Sequence, residues 1–195
     1  MFYTRADLVR RKIVEKRLIY SLLCVGVCFL LVSCGEPVGG SGQSAVFLSA
    51  QAADPYAVAC DVYNPSVSGN VALDVIHVIV KSVYRDPSGS TTSNFADVLL
   101  KEQRVTYTRY DGNPDVPEPF VVVLPNNPVP NGGELDLEIL IVRADAKLES
   151  PLKELAFGGG EGEILLTGHV EFYGEDLAGN SAYCSIEIPI IAKDY

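Results

Sequence analysis

Residues 164–191 read ILLTGHVEFYGEDLAGNSAYCSIEIPII, and this stretch decides the fold. Two runs of alternating apolar and polar residues, 164–173 and 181–191, flank a segment rich in turn-forming residues. Alternation with a period of two residues is typical of a strand that buries one face. The stretch therefore predicts two strands joined as a β-hairpin.

The faces of these two strands predict their register. Val170 and Phe172 must share a face with Cys184 if both strands line one core. Pairs whose residue numbers sum to 356 satisfy this condition, and they set Tyr173 opposite Tyr183 on the outer face. The other predicted pairs are Val170 with Ile186 inside, and Glu171 with Ser185 and His169 with Glu187 outside.

The rest of the chain repeats the pattern of short apolar runs between turn residues. A change of apolar face near Val75 predicts a β-bulge there or a strand buried on both sides. Only Pro151–Leu155 predicts a helical turn. We predict an all-β, antiparallel β-sandwich of about seven to nine strands over residues 45–195. The predicted strands are 45–50, 57–63, 71–84, 97–110, 118–124, 135–142, 164–173 and 181–191.

Charge is unevenly distributed along the 195 residues, which contain 15 Lys and Arg against 25 Asp and Glu. Residues 1–33 hold six of the basic residues and two of the acidic ones, so the remainder carries nine basic, 23 acidic and a net charge of −14. A body this acidic repels phosphate. Nucleic acid is therefore not an expected partner.

The N-terminal segment has the pattern of a targeting sequence. A basic region is followed by residues 18–33, which carry no charge. Sixteen helical residues reach only about 24 Å, less than the roughly 30 Å of a bilayer core. The segment predicts a secretory signal peptide, and the alternative is a short membrane anchor that is not cleaved.

Leu31-Val32-Ser33-Cys34 closes this segment and resembles the lipobox of bacterial lipoproteins. In that family a diacylglyceryl group is attached to the cysteine thiol, and a peptidase cuts just before it. The resemblance implies that 1–33 is a cleaved lipoprotein signal peptide, that Cys34 is lipidated, and that 34–44 is a flexible tether. It also implies a membrane partner through the lipid anchor. Gly35, in place of Asp, favours the outer membrane by resemblance to enterobacterial lipoproteins.

Two cysteines remain for the exported body, because Cys24 and Cys28 lie in the leader and Cys34 receives lipid. Both Cys60 and Cys184 share a strand face with apolar residues and are expected to point into the core. An even pair in an oxidising compartment predicts a disulfide. The alternative is two buried free thiols that act as small hydrophobic groups.

Residues 170–180, VEFYGEDLAGN, resemble the penultimate strand and hairpin loop of immunoglobulin-like and fibronectin type III-like domains of bacterial surface proteins. The resemblance implies an immunoglobulin-like sandwich. The chain departs from these families in having no Trp and in its longer region between residues 85 and 117.

The sequence contains few of the residues and motifs that are typical of catalytic sites. The chain lacks the nucleophile elbow, the zinc-protease helix motif and the phosphate-binding loop. His169 beside Glu187 could be an oriented base or a cross-strand polar pair, and we favour the pair. His77 is expected to be a surface or bulge residue. We therefore expect neither an enzyme nor a cofactor.

Two surface features could bind ligands. Tyr173 and Tyr183 could form an aromatic platform for a sugar or peptide, or could simply stabilise the hairpin, and we favour the second interpretation. Acidic residues in two turns, Asp111 with Asp115 and Glu175 with Asp176, are weak candidates for calcium because their oxygens are hard ligands. Asp is also common in ordinary turns, and this second interpretation is the one we favour.

These features together predict a lipid-anchored protein of the bacterial cell envelope. Its sandwich would be a structural or binding module whose partner is an envelope protein or a glycan. One alternative is an envelope hydrolase or carbohydrate-active accessory protein. Another is a calcium-stabilised, adhesin-like surface domain.

Overall fold

Eight β-strands make up most of the computed structural model, which describes residues 42–54, 57–66, 69–86 and 94–195. All eight predicted strands are present. Short 3-10 helices span Asn94–Ala96, Asp145–Leu148 and Leu152–Gly158, and only the last corresponds to the predicted helical turn. The strands are β1 Val46–Ala52, β2 Val58–Asp61, β3 Asp74–Tyr84, β4 Val98–Arg109, β5 Phe120–Val129, β6 Glu134–Val142, β7 Glu163–Asp176 and β8 Ser181–Lys193.

The strands form two sheets that pack as a sandwich. One sheet has the order β1-β3-β6, and the other has the order β2-β8-β7-β4-β5. When β1 and β2 are counted as two halves of strand A, this is the immunoglobulin-like order. In one sheet β3 is then strand B and β6 is strand E, and in the other β5, β4, β7 and β8 are strands C′, C, F and G. The expected all-β sandwich is confirmed. Its pairs are antiparallel except for one, in which β2 runs parallel to β8.

The predicted register of the last hairpin is also confirmed. Phe172 pairs with Cys184, and Tyr173 pairs with Tyr183. The predicted bulge lies between Asp74 and Val75, where the pairing of β3 with β6 shifts. A second bulge in β4, between Leu100 and Glu102, was not predicted.

The core lies between the sheets and is lined by the inward residues of both. Val78 of β3 and Leu100 of β4 are fully buried, as is Phe172 of β7. Burial of each such side chain contributes about 1.5–3 kcal/mol. Gly174 is required beside this core, because a Cβ there would lie 2.5 Å from the Leu99 carbonyl oxygen. The Leu99 backbone cannot move away from such a clash as a flexible side chain could.

The chain enters the sandwich beside the β7–β8 turn. Ser44 donates its N–H to the Ser181 carbonyl, and Ser181 donates its own to the Gly42 carbonyl, both at 3.2 Å. Residues 42–44, predicted to be flexible tether, are thus tied to the start of β8. The predicted signal peptide, Cys34 and the first part of the tether lie outside the described residues. No helix in the described ranges is long and apolar enough to cross a membrane.

Candidate functional site

Tyr173 and Tyr183 lie side by side on the outer face of the five-stranded sheet, as the alternation predicted. Their ring centroids are 5.2 Å apart, with the ring planes tilted by 50°. This geometry is favourable for an aromatic pair. Tyr183 is 50% exposed, so part of the aromatic surface faces solvent.

The carboxylate of Glu171 accepts a hydrogen bond from each of the two tyrosine hydroxyls. The Tyr173 hydroxyl donates to Oε2 of Glu171 at 3.1 Å, and the Tyr183 hydroxyl donates to Oε1 of the same residue at 3.0 Å. Partial burial, followed by the hydrogen bond to Glu171, raises the pKa of Tyr173. The Tyr173 phenol therefore stays protonated at neutral pH.

Arg104 on the neighbouring strand β4 completes the arrangement. Its guanidinium carbon lies 4.6 Å from the centroid of the Tyr173 ring, within the range of a cation–π contact. Its Nε forms an ion pair with Glu102, and this hydrogen bond is the main cause that raises the pKa of Arg104. The sequence pattern alone did not indicate Arg104. The pairing of Arg104 with Glu171 in adjacent strands would have indicated it, but that pairing requires the sheet order.

We call the residues Glu102, Arg104, Glu171, Tyr173 and Tyr183 the tyrosine cluster. It combines aromatic surface with donors and acceptors fixed by one another. Such a combination suits a sugar ring, which stacks its C–H face on an aromatic ring and exchanges hydrogen bonds through its hydroxyls. It equally suits a polar extended peptide.

A second polar row crosses the same face beside the tyrosine cluster. Thr108 Oγ1 lies 2.9 Å from Nε2 of His169, and Nδ1 of His169 lies 3.4 Å from Oε1 of Glu187. The predicted pair of His169 and Glu187 is therefore adjacent across β7 and β8. A hydroxyl, an imidazole and a carboxylate in series are the elements of an activated nucleophile. Acyl transfer also needs donors for an oxyanion, and the backbone of these paired strands is engaged in the sheet.

His77 lies on the outer face of the other sheet, next to the predicted bulge. Its Nδ1 is 3.1 Å from Oδ1 of Asp136, and both side chains are more than half exposed. The interpretation of His77 as a surface residue is confirmed. An open depression of about 480 Å³ lies here, lined by Ala53, Asp54, Val75, Ile76, His77 and Asp136.

In the first pair of calcium candidates, the carboxylate of Asp111 is occupied by protein partners. Asp111 accepts hydrogen bonds from Arg109, the shorter at 2.6 Å, and from the N–H of Asn113 at 3.0 Å. The bonds from Arg109 are the main reason that the pKa of Asp111 is lowered. Asp115 continues the turn, donating its N–H to the side chain of Asn113 at 3.0 Å.

The second pair lies at the other end of β4 and is occupied as well. Glu175 forms an ion pair with Lys101. Asp176, only 4% exposed, accepts the N–H groups of Ala178 at 3.0 Å and Asn180 at 2.8 Å. Burial alone would raise the pKa of Asp176, but these hydrogen bonds outweigh it and lower the pKa. Within the described ranges, no group of three or more His, Cys, Asp or Glu side chains is placed to hold a metal ion.

The expected disulfide is not formed, since Cys60 and Cys184 are both free and buried. Cys60 on β2 pairs with Ala192, eight residues along β8 from Cys184. At 3.3 Å per residue the two cysteines are about 26 Å apart, whereas a disulfide needs Cα atoms within about 7 Å. The alternative of two buried thiols fits this geometry. Burial raises the pKa of Cys184 to about 12.

A buried polar group that the sequence pattern did not predict lies at the end of the sandwich opposite the β7–β8 turn. The side chain of Lys147, from the 3-10 helix at 145–148, is 0% exposed. Its Nζ donates to the Asp61 carbonyl at 2.8 Å and lies 2.9 Å from Oδ2 of Asp74. Burial raises the pKa of Asp74, while hydrogen bonds from Lys147 and Cys60 oppose this rise. We call Cys60, Asp74 and Lys147 the lysine cluster, which joins the helix to β2 and β3.

Comparison with known protein families finds no family model that matches the chain, and no curated protein matches it either. The tyrosine cluster is therefore assigned as the candidate site on its geometry.

Proposed function

We propose that the chain is a lipid-anchored protein of the bacterial cell envelope and that its β-sandwich is a binding module. The observation that carries the anchor is Leu31-Val32-Ser33-Cys34, directly after a basic region and an uncharged apolar run. A thiol at this point is the nucleophile suited to thioether formation. Two or three acyl chains hold a protein durably, at about 0.8 kcal/mol per buried methylene.

Substitution of the lipidated cysteine tests the anchor. In a bacterial host grown with labelled palmitate, Cys34→Ala should lose the label and accumulate as the uncleaved precursor. Cys28→Ala is the matched control, because it removes a leader cysteine outside the proposed motif and should keep the label. Equal labelling of Cys34→Ala and the parent chain would refute the anchor.

Ligand binding is assigned to the tyrosine cluster, and we propose an envelope glycan or an envelope protein as the ligand. Half-exposed Tyr183, held by Glu171 next to Arg104, supports this choice. Fixed aromatic rings lose little conformational entropy when a ligand binds. Residue Gly35 supports the outer membrane as the location, by the resemblance described above.

A binding experiment tests this assignment separately from the anchor. Full-length protein should retain isolated envelope polysaccharide or envelope proteins in a pull-down, and Tyr183→Ala should weaken retention at least tenfold. Tyr110→Ala is the control, since Tyr110 is 87% exposed and lies outside the cluster. Retention that is equally strong in the Tyr183→Ala variant would place binding elsewhere.

The row of Thr108, His169 and Glu187 supports an envelope hydrolase as a second candidate. In that case Thr108 Oγ1 would attack an ester or amide carbonyl while His169 accepts its proton. The C–O or C–N bond of the substrate would then break, the leaving group would take that proton from His169, and water would hydrolyse the acyl-threonine. Turnover of an activated ester that is abolished in both Thr108→Ala and His169→Gln would support it. Turnover unchanged in both variants would exclude these residues from any such reaction.

A further inference from the structure

Strand β5 begins within a segment that is nearly symmetric in sequence. Residues 119–125 read PFVVVLP, with a proline at each end and Val122 at the centre. The whole of β5 carries no charge, in a body whose net charge is −14. Neutral, β-branched segments of this kind have a high tendency to pair with other strands.

The segment also lies at a sheet edge. β5 is the last strand of its sheet and pairs only with β4 among the described strands. On the outer face Val121 is 57% exposed and Val123 is 80% exposed. An exposed hydrophobic edge strand is a template for pairing with another chain, and proteins usually protect such an edge with Lys, Pro or a bulge. Here Pro125, Pro128 and the irregular pairing with β4 that follows Val123 interrupt only the second half of the strand.

We infer that this edge binds the same edge of a second copy of the chain, in antiparallel pairing centred on Val122. The two-fold axis then sets Val121 opposite Val123 of the partner subunit on the outer face. On the inner face it sets Phe120 opposite Leu124 of the partner subunit. Every contact within the five-residue window joins two apolar side chains.

The flanking prolines select this register over its neighbours. A shift by one residue would set outward-facing side chains opposite inward-facing ones. A shift by two would bring Pro119 or Pro125 opposite a valine, where proline has no N–H to donate. In the inferred register the two prolines lie opposite each other, just outside the ladder.

Charge and symmetry favour a closed dimer of two copies over an open assembly that grows by adding further copies. Two bodies with a charge of −14 repel each other, so contact is least unfavourable at a neutral surface. Because each copy uses its single β5 edge, the assembly closes as a two-fold dimer. The window is short, so we expect a weak dimer, whose population rises if copies are confined to one membrane surface. The inference does not depend on the lipid anchor or on the tyrosine cluster.

Cysteine cross-linking of the full-length chain tests the register. Two differently tagged variants, Val121→Cys and Val123→Cys, are coexpressed, oxidised and analysed on non-reducing gels. In the inferred register the mixed pair should cross-link at least fivefold more than either variant alone. Only in the mixed pair does a cysteine at 121 lie directly opposite a cysteine at 123 of the other copy. The parent chain, with its native cysteines alone, sets the background. Mixed cross-linking at background, or no stronger than that of the single variants, would overturn the inference.

A charge at the edge gives an independent test. Val123→Lys should shift the chain to monomer in sedimentation velocity across a concentration series, since two lysines would then face the partner's valines. Val83→Lys is the matched control, at a valine that is 59% exposed on the central strand of the other sheet. A parent chain that is monomeric at every concentration would overturn the inference. So would a Val123→Lys variant that still dimerises, or a β5 edge that cross-links only to a different protein.

Discussion

The lysine cluster and the tyrosine cluster are both polar networks that join neighbouring elements, but one is enclosed and the other is open. The Lys147 side chain is 0% exposed, whereas Tyr183 is 50% exposed. In the enclosed network the loss of a partner is costly, because water cannot replace it. In the open network water can take over any lost bond. The first therefore contributes to the fold, and the second leaves its groups available to a ligand.

Removing the buried ammonium gives the largest effect that we predict. Lys147→Ala leaves the Asp74 carboxylate buried without its cation, and we expect a loss of about 3–5 kcal/mol in the free energy of unfolding. Urea unfolding followed by circular dichroism measures it. Lys153→Ala, an exposed lysine in the next 3-10 helix, should change stability by less than about 0.5 kcal/mol. Similar losses in both variants would remove the contrast between enclosed and open charges.

Asp176 is an enclosed carboxylate whose partners all come from its own turn and the entering chain. Its folded pKa lies below the ordinary value of 3.8, so its stabilising contribution is present above that pH and is lost as pH falls through the folded pKa. Asp176→Asn should cost about 1–3 kcal/mol at pH 6. The difference from the parent chain should shrink at pH 3, as urea unfolding at both pH values would show.

Glu175→Gln is the control for this pH dependence, because Glu175 is about half exposed in its pair with Lys101. It should change stability little at either pH. A loss in Asp176→Asn that is the same at pH 6 and pH 3 would mean that the charge of the carboxylate contributes nothing.

The open network should give a smaller effect on stability. Tyr183→Ala removes the ring contact with Tyr173 and one hydrogen bond to Glu171, and we expect a loss of about 0.5–1.5 kcal/mol. A double-mutant cycle with Tyr173→Ala isolates the contact itself. A loss above about 3 kcal/mol would show that the cluster is part of the fold rather than a surface free for binding.

The same contrast explains what the sequence could predict. The hairpin over 164–191 was predicted to the level of register because one face is buried and the other is polar, so alternation leaves few choices. Arg104 was missed for two reasons. The position of β4 beside β7 follows from the sheet order, which the sequence does not show, and the bulge in β4 changes which residues of that strand face outward. Lys147 was missed because a lysine between strands has the sequence pattern of a solvated residue. Only the packing of its 3-10 helix encloses it.

The two cysteines give the smallest predicted effect, because both thiols lie on the core face and cannot meet. The alternation predicted their inward direction correctly, yet it carries no information on position along a neighbouring strand, and β2 pairs with the far end of β8. A reductant should therefore leave the melting temperature unchanged within about 1 °C, whereas losing a disulfide would cost about 2–4 kcal/mol and several degrees.

Alkylation should be slow for both thiols in the folded chain, since burial raises the pKa of each, and rapid for both in urea. A peptide linking Cys60 to Cys184 in the unreduced protein would require β2 to leave its place beside the end of β8.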